Sequence, residues 1–243
     1  MTRVGEKVAQ RSRFFFVLLL AAGLLLAAVF VVLGAWQLER RAWKLDLIER
    51  VEARVSAPPV AAPGPAVWPR VDRDAHEYRR ITVTGRFLHH RETRAQAVTD
   101  YGSGYWLLTP LATTRGFTIL VNRGFVPQDR RAPVVRPEGT VAVTGLLRLT
   151  EPGGGFLRSN DPEADRWYSR DVQAIARARR LENVAPYFVD AAATPGSEGF
   201  PKGGLTQIRF RNQHLQYALT WFALALSALG GLAILVRHGR RPA

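Results

Sequence analysis

FFFVLLLAAGLLLAAVFVVLGAW, Phe14 to Trp36, is a run of 23 residues without a single charge. At about 1.5 Å per residue, such a run is long enough to cross roughly 30 Å of hydrocarbon as a helix. A cleavable secretory leader has a shorter apolar core of about 7–15 residues followed by a small-residue site, so this stretch reads as a permanent anchor. A second block, LQYALTWFALALSALGGLAILV, Leu215 to Val236, is also uncharged. Its Gly230-Gly231 pair is tolerable because a spanning helix satisfies its own backbone hydrogen bonds. The reading is an α+β membrane protein, with one transmembrane helix near each end flanking a single folded domain.

Two spans put both ends of the chain on one side. Arg3, Lys7, Arg11 and Arg13 precede the first span, and Arg237, Arg240 and Arg241 follow the second. Short basic flanks face the cytoplasm, so residues 1–13 and 237–243 read as cytoplasmic tails of a multi-pass protein of the inner membrane, with the intervening domain in the periplasm. Arg40, Arg41 and Lys44 weaken the contrast, but loops this long translocate largely regardless of charge. Trp36, Trp43 and Trp221 lie near the span ends, where an amphipathic indole suits the headgroup layer of the lipid.

The net charge of +14 divides into +3 from the first 13 residues, +3 from the last seven and +8 spread between them among 19 acids. No basic stripe with interleaved aromatics follows, and nucleic acid is not implied. Arginine outnumbers lysine 31 to 3, a bias that names no partner. There is no cysteine, and the one methionine is Met1. Sulfur-ligated metal sites, thiol redox chemistry and covalent c-type haem attachment are excluded by ligand type.

Between spans 14–36 and 214–236, Leu38, Ala42, Leu45 and Ile48 recur near helical spacing, which extends the first helix over 37–55. Ser56 to Pro69 holds five prolines and a glycine and reads as an extended linker. The domain proper then covers 70–213. Tyr78–Leu88, Gly104–Leu111, Phe117–Arg123, Val141–Leu149, Tyr187–Ala191 and Leu205–Arg211 have strand character, so the domain is mainly antiparallel β. The echo between ITVTG (Ile81–Gly85) and VAVTG (Val141–Gly145) marks either a bulge glycine in each strand or chance similarity. Asp171 is placed to cap a short helix running to about Leu181.

His214 stands out because it opens the second apolar block, and an ionisable side chain at membrane depth is usually kept for a function. At helical spacing it shares a face with Tyr217, Ala218 and Trp221, a surface suited to a planar apolar cofactor. Imidazole is a common axial ligand of haem iron. The alternative is that His214 snorkels to the headgroups or caps the helix. His89 and His90 end a predicted strand, pointing to opposite faces. His76 lies in a charged loop and His238 in the tail, without metal-ligand spacing. Gly153–Gly155 lacks the features of a phosphate loop and reads as a flexible turn. Asp72/Asp74 and Asp161/Glu163 sit in polar loops with nothing to raise a pKa. No nucleophile, base and orienter set is evident, so the chain does not read as an enzyme.

GAWQLERRAWK (Gly34–Lys44), YRRITVTGRF (Tyr78–Phe87), GYWLLTPL (Gly104–Leu111), VNRGFVP (Val121–Pro127) and RNQHLQYALTWF (Arg211–Phe222) together resemble the Surfeit-locus-one family of cytochrome oxidase assembly factors, in order and over most of the chain. The resemblance implies a role in maturing the haem a centre of the haem-copper oxidase. Cytochrome c oxidase subunit I is the implied partner and haem a synthase a second candidate. In bacterial members the histidine of the RNxH block is proposed to hold haem a. That role falls here on His214, with Tyr217 and Trp221 as contacts to the haem face. A haem-free scaffold that stabilises an oxidase intermediate is the other reading. Arg123 and Tyr105 lie in the matching blocks, where core packing and a contact with the oxidase account for them equally well. For topology, a reporter enzyme active only outside the cytoplasm, inserted near Gly154, should be active; silence would place the domain inside.

Overall fold

The computed structural model describes residues 2–128, 133–155, 157–193, 199–206, 208 and 212–239. In chain order the elements are α1 (Thr2–Ser56), β1 (Val60–Ala61), α2 (Arg73–His76), β2 (Arg80–Phe87), β3 (Thr93–Thr99), β4 (Gly102–Thr113), β5 (Thr118–Pro127), β6 (Thr140–Leu149), β7 (Gly154–Gly155), β8 (Arg158–Ser159), α3 (Val172–Ala178), β9 (Val184–Ala191) and α4 (His214–Gly239). They form two compact units, one of Met1–Glu49 with Arg209–Ala243, the other of Arg50–Ile208.

In the first unit, Phe14–Ser56 and His214–His238 are long and apolar enough to cross a membrane. Small residues let α1 and α4 approach closely, as they do between helices in lipid. A Cβ on Gly34 would lie 2.6 Å from the Phe222 ring, and one on Gly23 would lie 2.5 Å from Leu232 Cδ2. Ala27, Ala218 and Ala225 are buried in the same unit, while Leu25 and Leu226 are about 70% exposed. Large apolar side chains on the outside and small ones inside suit an apolar solvent.

The second unit is built on a sheet of order β1-β2-β6-β9-β5-β4-β3 in which β2 also pairs with β4. That added pairing closes β2-β6-β9-β5-β4 into a five-stranded barrel. Most neighbours are antiparallel; β1 with β2 and β5 with β9 are parallel. The period-2 alternation of a strand fills the inside with Ile81, Val83, Leu111, Ile119, Val121, Leu147, Tyr187 and Val189. A second apolar layer covers the outer face of β4, β5 and β9, where Leu108, Leu120 and Phe188 meet Trp167 and Val172 and Ile175 of α3. Burial on both faces leaves β5 covered from Ile119 to Val126, its polar Asn122 and Arg123 included. Asp171 caps α3 by accepting from Ala174 N at 3.0 Å, as the sequence predicts.

The echoed segments are partners. Ile81 pairs with Gly145, Val83 with Val143 and Gly85 with Val141, in unbroken register. Their glycines mark close approach rather than bulges. A Cβ on Gly85 would meet Ala112 O at 2.3 Å, and one on Gly145 would meet Asp190 O at 2.2 Å. Both glycines sit where a strand changes neighbours, Gly85 to β4 and Gly145 to β9.

Several expectations are corrected. Ser56–Pro69 is no bare linker: Val60–Ala61 adds to the edge of β2, and Trp68 packs edge-on against Phe117 with centroids 5.7 Å apart. Pro63 O accepts from both Trp68 Nε1 and the Tyr187 hydroxyl, at 3.0 and 2.6 Å, so this segment plugs one end of the barrel. β3 was not anticipated. His89 and His90 lie in a 3-10 turn, so the opposite-face argument does not apply, and His76 ends α2 rather than lying in a loop. His238 still belongs to α4, and Gly153–Gly155 leads into the β7–β8 hairpin. Of the strand expected over Leu205–Arg211, Leu205, Thr206 and Ile208 are irregular; its other residues lie outside the described ones.

Closure at Gly85 makes a quantitative demand. Gly85→Val should destabilise the barrel by at least about 1–3 kcal/mol, the usual cost of overpacking, in urea unfolding followed by tryptophan fluorescence. Thr84→Ala, on the exposed side of the same strand, should stay within about 0.5 kcal/mol of wild type.

Candidate functional site

α4 opens at His214, and its imidazole is half-buried in the first unit. Nδ1 lies 2.8 Å from Oε1 of Gln37 on α1. The facing amide oxygen is an acceptor, an arrangement that pairs with the Nδ1–H tautomer, and in that tautomer Nε2 keeps its lone pair. Metal-ligating histidines are commonly held in this way, the far N–H given to an oxygen acceptor that fixes tautomer and ring orientation. Chemically the residue therefore fits an axial haem ligand. Its predicted companions divide. Ala218 is buried, Trp221 stacks on Phe30 of α1 at 5.7 Å and 30°, and Tyr217 is 53% exposed. Trp221 is thus already engaged by α1 and, like the His214 ring, half-buried, while Tyr217 presents the most surface of the three. Among the described residues, no group of three or more potential metal-binding side chains occurs.

Gln37 was missed because its partner is 177 positions away. The available signal was a lone amide in GAWQLERRAWK, at the end of an apolar run. Of the carboxylate pairs expected in loops, Asp74 lies instead in α2. Asp72 caps α2 through Ala75 N, and that hydrogen bond lowers its pKa. Asp161 meets Arg166 at 2.5 Å, and that hydrogen bond lowers its pKa likewise.

A buried polar network in the second unit was not foreseen at all. Asp190 of β9 is 5% exposed. It accepts from Asn122 Nδ2 at 2.7 Å, Arg148 Nη1 at 3.0 Å, Arg170 Nη1 at 3.1 Å and Thr206 Oγ1 at 2.9 Å. Arg170 also meets Glu151 at 2.5 Å and lies 4.8 Å from the Phe188 ring centroid. Burial pulls the Arg170 pKa down, but Asp190 and Glu151 more than offset it, so the guanidinium is held above its usual value. Burial likewise pushes Glu151 up, yet the hydrogen bond and charge of Arg170, with the charge of Arg148, hold it below 4.5. A carboxylate between two arginines is an anchor rather than a general acid. Tyr105 lines a separate cleft with Gln96, Arg158 and Tyr168. Arg123 lies in the inward row of β5 and is 8% exposed.

With both sites described, the comparisons with known proteins can be set beside them. The SURF1 family model matches residues 24–226, a span that begins within α1 and ends within α4. The chain belongs to the SURF1 family. It is 38% identical to Surfeit locus protein 1 of Homo sapiens over 214 residues, covering 79% of this chain and 69% of that one. It is similarly 38% identical to the Mus musculus protein over 221 residues, covering 83% and 70%. A SURF1-like protein of Monosiga brevicollis is 39% identical over 227 residues, covering 85% and 83%. The SURF1-family match takes in both Gln37 and His214.

Removing Asp190 would take from Arg148 and Arg170 the most buried of their carboxylate partners. Asp190→Ala should cost about 3–5 kcal/mol in chemical denaturation, and Asp190→Asn somewhat less. Because the folded Glu151 carboxyl titrates below its unfolded value, its contribution is present above about 4.5 and lost as the pH falls through the folded value. Acid titration of the Glu151→Gln variant should therefore show a shallower loss of stability below that pH.

Proposed function

We propose that this chain, as a member of a family known as cytochrome oxidase assembly factors, binds haem a through His214 and assists its insertion into subunit I. The observation that carries the reading is the His214–Gln37 hydrogen bond. It fixes the imidazole, leaves Nε2 free to ligate, and lies where an apolar helix begins. Haem a would supply the redox centre that the oxidase needs. The residues here would hold it, with His214 as ligand, Gln37 fixing the ring and the Tyr217 ring along the open side. Trp221 would act from behind, stacked on Phe30. In this reading α1 and α4 span the inner membrane, both ends face the cytoplasm and the barrel stands in the periplasm. The protein acts as an assembly factor rather than a catalyst.

A haem-free scaffold is the second reading. It is favoured by the engagement of Trp221 with α1, which removes one of the flat surfaces a macrocycle would use.

The deciding experiment is purification in detergent from cells making haem a. Wild type should carry low-spin haem a absorbance. His214→Ala should lose it while both helices still insert, and Gln37→Leu should retain less haem, by about 10–100-fold in affinity, as for other second-layer groups. A colourless wild type that still captures the oxidase would move the function to the scaffold.

A further inference from the structure

One end of the barrel is plugged by Trp68 and Pro63; among the described residues the other is open. Along β5, Ile119, Val121 and Arg123 form one inward row, so an arginine stands where the pattern asks for a third aliphatic. β6 leaves β9 beyond Gly145, and the gap is a cleft of about 320 Å³ lined by Phe87, Val121, Arg123, Val141, Val143 and Phe200 among others. Barrel mouths are frequent ligand sites, and this volume is at the small end of the usual range of about 300–1,000 Å³.

The polar groups at this mouth are incompletely satisfied. Arg123 is 8% exposed, donates through Nη2 to Val135 O and lies 5.1 Å from the Phe87 ring centroid. Its Nη1 is buried with no acceptor among the described residues. Glu92 Oε2 and His89 Nδ1 are in the same condition. Neither lines the cleft, but each neighbours a residue that does: His89 Nε2 lies 2.9 Å from Pro137 O, and the Glu92 charge acts on Arg123. A buried donor left without an acceptor is disfavoured, a charged one most of all, so the unanswered Nη1 of Arg123 at this opening marks a place built for a ligand. The charges sum simply. Arg136 meets Glu92 at 2.8 Å, so among the described residues the charges of Arg123, Arg136 and Glu92 sum to one net positive.

We propose that this mouth is a binding site for a small monocarboxylate with a branched aliphatic or aryl body. The acid would accept from Arg123 Nη1 while the body lies against Val121, Val141, Val143 and Phe200. One net positive charge calls for a monoanion; a phosphate dianion would need further donors. A cleft of this size takes a short chain, not a macrocycle, so the site is independent of His214.

The test uses the full chain in lipid nanodiscs, with 4-methylpentanoate and benzoate as probes and empty nanodiscs subtracted, read by saturation-transfer NMR and calorimetry. Saturable binding at or below about 1 mM is expected, with at least tenfold weaker binding of the neutral 4-methylpentanamide. Arg123→Met should weaken the acid at least tenfold, and Arg123→Lys less. Val143→Phe, which fills the cleft and spares the arginine, should abolish binding and keeps the test valid if Arg123→Met does not fold. His214→Ala should leave it unchanged. Equal binding of acid and amide, no saturation in wild type, or full binding by Val143→Phe would overturn the site. A short peptide ending in a leucine carboxylate that binds more than tenfold tighter than the free acid would also overturn the small-molecule assignment.

Discussion

The β-domain depends on the pairing of Gly85, Arg86 and Phe87 with Thr113, Ala112 and Leu111. Without it, these stretches of β2 and β4 would be open, with unpaired backbone groups and a half-exposed apolar face. With it the sheet closes, and the alternation along each strand divides side chains into an interior and an exterior. That division decides everything nearby. It sends Tyr187 and Val189 inward, turns Phe188 and Asp190 outward, and places Arg123 at the mouth.

The outward turn of Asp190 gives β9 a second means of attachment. It lies between a parallel neighbour, β5, and an antiparallel one, β6, and its carboxylate gathers groups from β5, β6 and the segments bearing Arg170 and Thr206. A mixed sheet junction is therefore held by backbone pairing and by charge at the same point. The apolar helices obey a different constraint. Close approach at Gly23 and Gly34, with the hydrogen bond between His214 and Gln37, marks where α1 meets α4 among the described residues.

Legibility in the sequence followed the locality of the cause. The cores of β2, β4, β5, β6 and β9 were readable because alternation and β-branched residues are local signals. β3 was not, since TRAQAVT (Thr93–Thr99) puts small alanines on its buried side and offers little contrast. The prolines of Ser56–Pro69 read as a linker because nothing local tells that Pro63 O will meet Tyr187, 124 positions on. The echo of Ile81–Gly85 in Val141–Gly145 was visible, but pairing between the two copies is a property of the closed sheet. His214 was legible from its position at the start of an apolar block, whereas Gln37, Asp190 and the exceptional placing of Arg123 depend on partners far along the chain.

The place of β9 in the barrel has a consequence for biogenesis. It inserts between β5 and β6 although it is made after both. Until Val184–Ala191 emerges, a nascent chain carrying β2 to β6 keeps two hydrogen-bonding rims bare, a state prone to wrong association. The ribosome must therefore deliver nearly the whole middle of the polypeptide before its sheet can shut, and only 22 residues separate Ala191 from the start of α4 at His214. Maturation of this unit is a late event in synthesis, coincident with the arrival of the last apolar segment.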